Sequence, residues 1–341
     1  MEFLVLPNMS LMKNIFMASI VLVLIIIAAL CGAMQISILD IITGNITNQQ
    51  DSVLLFIRLP RIALALLIGA ALSISGAALQ GLFHNPLADP GLTGVSGGAA
   101  LAVVILLVLV GDSLSGFLLI YGLSIAAFIG GILSCILVFK VARYSTNFSL
   151  DYILLTGIAV NAITSAITGI LVYLSNDYQL RTFAFWTLGS LAGTSWATVI
   201  VAASIIIPAI ILIIRKSNEI NIFLLGEEEA LSMGVNCNKL KNTLILCTSL
   251  CVGVSVATSG IIGFLSLVTP HVARLFVKAD YREIMLMSMW VGAISLLVSD
   301  TVARTVIAPA EMPVGILTSM IGAPMFMWIL IRQYTKRSTY K

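Results

Sequence analysis

The sequence is short of charge. Only 10% of its 341 residues are Asp, Glu, Lys or Arg, against 60% hydrophobic. A soluble domain carries about 25% charged residues, so this chain cannot clothe a water-facing surface of its size, and its solvent is a bilayer. Histidine is scarcer still: His84 and His271 stand far apart, without metal-ligand spacing. No G-x-x-x-x-G-K-[ST] loop is present, so the chain has no phosphate cradle for a nucleotide. No nucleophile motif or carboxylate pair marks an enzyme. No basic stripe interleaved with aromatics marks a nucleic-acid surface, and net charge is only +3. The five cysteines sit mostly in apolar runs with no acid or histidine beside them, which reads as packing; neither a disulfide framework nor a metal site is indicated.

What is present is apolar sequence, with a mean hydropathy of +1.10. A span needs about 20 apolar residues, fewer in a packed bundle. Ten stretches qualify: 14–34, 62–82, 94–111, 116–140, 151–174, 194–214, 241–258, 261–277, 284–303 and 314–332. The eighth is interrupted by Pro270 and Arg274. The expectation is an all-α integral membrane protein, one transmembrane domain over 1–341, with an uncleaved first span and a poorly ordered leader before Lys13. Ten spans put both termini on one side. That side then holds 14 of the Lys and Arg residues and the other only Arg58, Arg61, Arg181 and Arg304. By the positive-inside rule both termini are cytoplasmic. No acid falls plainly at mid-membrane, where ion-coupled carriers keep one.

Small residues at Gly69, Ser73, Ala77 and Gly81 recur every four positions along the second stretch. That spacing lets helix backbones touch and predicts a central, tightly surrounded helix. Three polar segments break the hydropathy pattern. His84-Asn85-Pro86-Leu87-Ala88-Asp89-Pro90-Gly91 reads either as a tight turn or as an inner constriction carrying Asn85 and Leu87. The long inner segment 216–241 reads as two short helices making a docking surface. In it Gly226 ends one helix, Glu227, Glu228 and Glu229 fill the first turn of the next, and Gly234 supplies a left-handed cap. Arg58, Arg61 and Arg304, on the side that disfavours cations, read either as interfacial anchors or as a basic rim that meets acids on a soluble partner.

At these segments the chain resembles the permease subunits of type II ABC importers, which take up iron–siderophore complexes, haem or cobalamin. The resemblance rests on Arg58-Leu59-Pro60-Arg61, Gly69-Ala70, Ser75-Gly76, Gln80, Asn85-Pro86-Leu87-Ala88-Asp89-Pro90 with Gly94-Val95-Ser96, and Trp186 with Gly189-Ser190. It continues through Trp196, Leu225-Gly226-Glu227, Ala230, Gly234-Val235, Gly260, Gly263-Phe264, Pro270-His271, Arg274, Gly292-Ala293, Asp300, Arg304, Glu311, Pro313-Val314-Gly315 and Gly322-Ala323-Pro324. Ser266, Thr269 and His84 depart from the family pattern.

The resemblance implies ten spans with an inverted repeat, in a homodimer or a heterodimer of paralogous permeases around a central pathway. Two cytoplasmic ATPase subunits, which hold the ATP and Mg2+, would dock on Leu225, Gly226, Glu227, Glu228, Ala230 and Gly234. A substrate-binding protein outside the membrane would dock on Arg58, Arg61 and Arg304. The cytoplasmic gate would lie at Asn85, Leu87, Ser149 and Leu150. No metal and no catalytic residue is implied in the chain itself. Ferric siderophore is the first expectation for the cargo, haem the second and cobalamin the third; the location is the bacterial cytoplasmic membrane. The alternative from another class is an ion-coupled secondary transporter.

Overall fold

A computed structural model describes residues 8–34, 36–43, 46–111, 116–142 and 150–339. Lipid offers the backbone no hydrogen-bond partners, so a spanning chain must satisfy its own, and the described residues are helical nearly throughout. In chain order the helices are α1 (Asn8–Leu30), α2 (Ile38–Thr43), α3 (Asn48–Val53), α4 (Leu59–Leu82), α5 (Val95–Ile105), α6 (Phe117–Ala142), α7 (Leu150–Leu174) and α8 (Asp177–Thr187). They continue as α9 (Trp196–Arg215), α10 (Ser217–Phe223), α11 (Glu227–Ser232), α12 (Cys237–Ser259), α13 (Leu265–Ala273), α14 (Tyr281–Ala303) and α15 (Val314–Thr339). A π-helical turn, Leu54–Arg58, welds α3 to α4, and another, Leu106–Val110, prolongs α5.

Among the described residues, seven helical stretches are long and apolar enough to cross a membrane, with two shorter apolar ones at Val95–Val110 and Val314–Ile329. The short α13 completes the ten. It differs from the expected eighth stretch of 261–277: residues 260–263 are irregular, Phe264 takes a left-handed backbone, and only Leu265–Ala273 is helical. At the N-terminus α1 begins at Asn8, ahead of Lys13, so the expected leader is helical from there. The linker after α7 carries an additional helix, α8, started by a reciprocal cap in which Asn176 and Gln179 bond each other's backbone N–H.

Helix α4 is the axis of the molecule. It is buried along almost its whole length and packs most heavily against α14, then α12 and α13. The four-residue repeat of small side chains explains this. Gly69 lies against the Gly292 backbone of α14, and Ser73 packs on the same glycine. Gly81 faces Tyr281 and Ile220, while Gly76 lies on the Ser266 carbonyl of α13. A methyl group at Gly69 or Gly76 would overlap a backbone oxygen, so these positions admit only glycine while the helices keep their present separation. By contrast α1 is an outlying helix, mostly uncovered by the rest of the chain.

Candidate docking and gating sites

The three outer arginines converge, but their side chains turn inward. Arg58, Arg61 and Arg304 are all buried, at 4%, 5% and 7% exposure. The last carbonyls of a helix lack intrahelical partners and carry its negative dipole end. Arginine supplies the missing donors here: Arg58 Nη1 donates to Ala29 O at 2.6 Å and Leu30 O at 2.9 Å, and Arg304 Nη2 donates to Ala28 O. Arg58 Nη2 also donates to Met34 O. The outer end of α1 is thus capped by arginines standing just before α4 and just after α14.

Arg61 is held by acids. Its Nε lies 2.9 and 3.1 Å from the two oxygens of Asp300, and its Nη1 lies 2.8 Å from Glu311 Oε2. Arg304 Nε approaches Asp300 at 3.8 Å. Three guanidinium groups against two carboxylates leave the cluster with one positive charge in excess. Two buried donors, Arg61 Nη2 and Arg304 Nε, have no hydrogen-bond partner among the described residues. Beside them opens a hollow of about 220 Å3 lined by Gly32, Met34, Arg58, Arg61, Arg304 and Glu311 among others. The open basic rim that the sequence suggests is therefore a recessed pocket, lined by arginines already engaged within the chain. The net positive charge of the cluster suits an anion such as a carboxylate.

At the opposite end, α4 stops at Phe83, and the turn that follows is tied at every step. Asn85 N donates to Gln80 O, Leu87 N to Asn85 Oδ1, and Ala88 N to Asn85 O. Asp89 caps the short 3-10 turn Pro90–Thr93 by accepting from Gly91 N at 2.7 Å, and its other oxygen accepts from Ser266. Burial pushes the Asp89 carboxyl above its usual value, while the Ser266 and Gly91 donors oppose that rise. Leu87 stands out from the turn at 44% exposure. Among the other expected gate residues, Leu150 opens α7, but its side chain and all of Ser149 lie outside the described residues.

The inner segment folds as two short helices. Gly226, at φ +130°, precedes α11, whose first turn is Glu227, Glu228 and Glu229, and Gly234, at φ +84°, follows its end. Ala230 is buried and holds α11 down, whereas Leu225, Leu231 and Met233 are 57–62% exposed and form an apolar knob between the acidic residues. Glu227 is spoken for: both its oxygens hold Lys241 Nζ, at 2.7 and 2.8 Å. Lys241 is buried at 1% exposure and lies 5.8 Å from the Phe223 ring centroid. Asn221 of α10 bonds Asp280 at 2.8 Å and accepts from Tyr281 N at 3.0 Å, which fastens α10 to the start of α14.

The pairs that build these sites join residues remote in sequence. Asp300 and Glu311 are individually visible, but nothing in the chain indicates that both reach Arg61. Lys241–Glu227, and Arg274 with Gln80 (2.8 Å) and Tyr281 (3.2 Å), are likewise products of the fold.

Residues 20–332 match the FecCD transport family. The hemin transport system permease protein of Yersinia pestis is 43% identical over 326 residues, covering 94% of this chain and 97% of that protein. The vitamin B12 import system permease protein of Salmonella typhi is 38% identical over 276 residues, covering 81% and 82%. Among solved structures, an inward-facing metal-chelate type ABC transporter superposes with a TM-score of 0.84 at 30% identity, over 94% of this chain and 99% of that one.

Proposed function

This chain belongs to the FecCD transport family, and from that membership we propose that it carries haem, or a chelate of similar bulk, across the cytoplasmic membrane. It is a permease subunit of a type II ABC importer, an all-helical membrane protein of about ten helices. As such it is not itself an enzyme and needs no cofactor of its own; nucleotide belongs to a separate ATPase.

The observation that supports haem over ferric siderophore is the 43% identity to a hemin permease along nearly the full length of both chains. The second reading, a ferric chelate, is favoured by the superposition on a metal-chelate transporter. Two copies, or two paralogous permeases, would enclose the pathway. Two ATPase subunits would sit on α10 and α11, with the apolar knob of Leu225, Leu231 and Met233 entering their surface and Glu228 at its edge. A binding protein would dock outside, an acidic side chain reaching the arginine hollow; the excess positive charge there supports that reading. Lys and Arg asymmetry supports cytoplasmic termini. Substrate would pass between the copies without a tight site, since a site that held it firmly would slow its exit.

The test is uptake into proteoliposomes of the complete importer with its binding protein, offered hemin, a ferric hydroxamate chelate and cyanocobalamin in turn. ATP-dependent accumulation of hemin alone supports the proposal. Accumulation of the ferric chelate alone overturns the haem assignment, and accumulation that survives without ATP overturns the importer mechanism.

A further inference from the structure

Between the segment read as the ATPase dock and the inner turn lies an unbroken set of side-chain contacts. Glu227 in α11 holds Lys241 at the start of α12. Lys241 faces the Phe223 ring at the end of α10. Phe223 meets His84: the two rings are 5.2 Å apart at 41°, and His84 Nε2 lies 3.2 Å from Phe223 O. His84 is the residue immediately before Asn85. On the far side of the same turn, Pro86 O is held by His271 Nε2 of α13 at 3.0 Å.

We propose that His84 is a positioning residue that passes movement of the α10–α11 segment to the inner turn carrying Asn85 and Leu87. The turn is gripped at two points. One grip belongs to α10 and the other to α13, and only Asn85 separates residues 84 and 86. So short a stretch has no slack, and a shift of α10 relative to α13 must reorient it. Asn85 N, bonded to Gln80 O, fixes the root of the turn on α4 and supplies the pivot. His84 adopts φ +48° because it closes α4 in a left-handed cap, with Asn85 N bonded to Gln80 O and His84 N to Gly81 O, and this cap fixes where its ring points. A carbonyl only accepts hydrogen bonds, so Nε2 carries the proton in this contact. The required chemistry is therefore a side-chain N–H at the right reach.

The inference rests on the reading of α10–α11 as the ATPase dock, and its test separates the two. The importer is reconstituted with ATPase and binding protein on a Cys31→Ser background. Nitroxides on Leu87→Cys in both permease copies report the inner turn with and without ATP, and hemin uptake per ATP hydrolysed is measured alongside without labels. His84→Leu is expected to keep the ATPase bound and hydrolysing. The ATP-driven distance change at residue 87 shrinks and uptake per ATP falls about fivefold, the effect of one ordinary hydrogen bond. His84→Gln, which restores an N–H, recovers most of both. Phe223→Leu leaves the carbonyl in place but removes the ring between Lys241 and His84, so its loss falls between wild type and His84→Leu. An undiminished distance change in His84→Leu overturns the proposal, as does His84→Gln behaving like His84→Leu, or Phe223→Leu losing as much as His84→Leu. A wild-type permease that fails to retain the ATPase overturns the dock itself.

Discussion

Replacing Asp300 with alanine should be among the most destabilising single changes in this protein. The carboxylate is fully buried, at 0% exposure. It takes both bonds from Arg61 Nε at 2.9 and 3.1 Å and offsets Arg304 at 3.8 Å. Removing it leaves Arg61 with Glu311 alone and Arg304 with no acid at all, both guanidinium groups being largely buried. Breaking a buried pair by deleting one partner costs about 3–5 kcal/mol, because the remaining charge is left uncompensated. Glu311 makes an instructive control. Its bond to Arg61 is as short, at 2.8 Å, but its side chain is 44% exposed, so water screens the pair and Glu311→Ala should cost about 1 kcal/mol. The double variant Arg61→Met/Asp300→Leu removes both charges of the closest pair and should cost less than Asp300→Ala alone, a strong non-additivity expected of direct partners. The assay is thermal unfolding of the purified permease in one detergent, read by the loss of its monodisperse elution peak. Asp300→Ala melting with the wild-type protein, or no more affected than Glu311→Ala, would refute the electrostatic account of this cluster.

Gly76→Val forces α4 away from the Ser266 carbonyl and should abolish the stable fold, while Gly193→Ala, with open space around it, should be at least an order of magnitude milder in the fraction folded, despite its φ of +72°. Lys241→Met should retain ATPase binding better than Glu227→Lys, since the first keeps an apolar stem against Phe223 and the second sets two cations together; pull-down of the ATPase measures this. Asp89→Asn keeps an acceptor for Gly91 N–H and drops a buried charge, so its melting temperature should match wild type. Asp89→Ala forfeits the cap, at a cost of about 1 kcal/mol. In intact cells a membrane-impermeant maleimide should label exposed Cys31 and leave Cys135, Cys237, Cys247 and Cys251 untouched; labelling of the buried four would contradict the packing.

Much of the frame was legible because lipid removes alternatives. A hydrophobic run in a bilayer can only be a helix, and the repeat Gly69, Ser73, Ala77, Gly81 identifies the central one, since lipid-facing helices have no use for such spacing. Local backbone chemistry was equally readable: Gly226 and Gly234 bracket α11 where the glycines stand. The capping residues Asn176 and Gln179 mark the start of α8 in the sequence itself. Whether a polar side chain faces outward or inward was not legible. Arg58, Arg61 and Arg304 look free in one dimension; they are buried because the carbonyl end of α1, Asp300 and Glu311 arrive beside them from distant parts of the chain. The same holds for Lys241, whose burial depends on a short helix folding back over it.

The shortness of α13 has a consequence for how the protein is made. Nine helical residues extend only about 14 Å, less than half of a hydrocarbon core. Preceded by irregular backbone and carrying Ser266, Thr269 and His271, this segment has too little apolar length to partition into lipid by itself during synthesis. The expected route is entry once α12 and α14 are across and α4 offers the groove at Gly76, a folding step that follows translocation. A nascent chain ending soon after Ala273 would hold this helix at the membrane interface, and a glycosylation or protease tag placed there would read out the moment at which insertion gives way to folding.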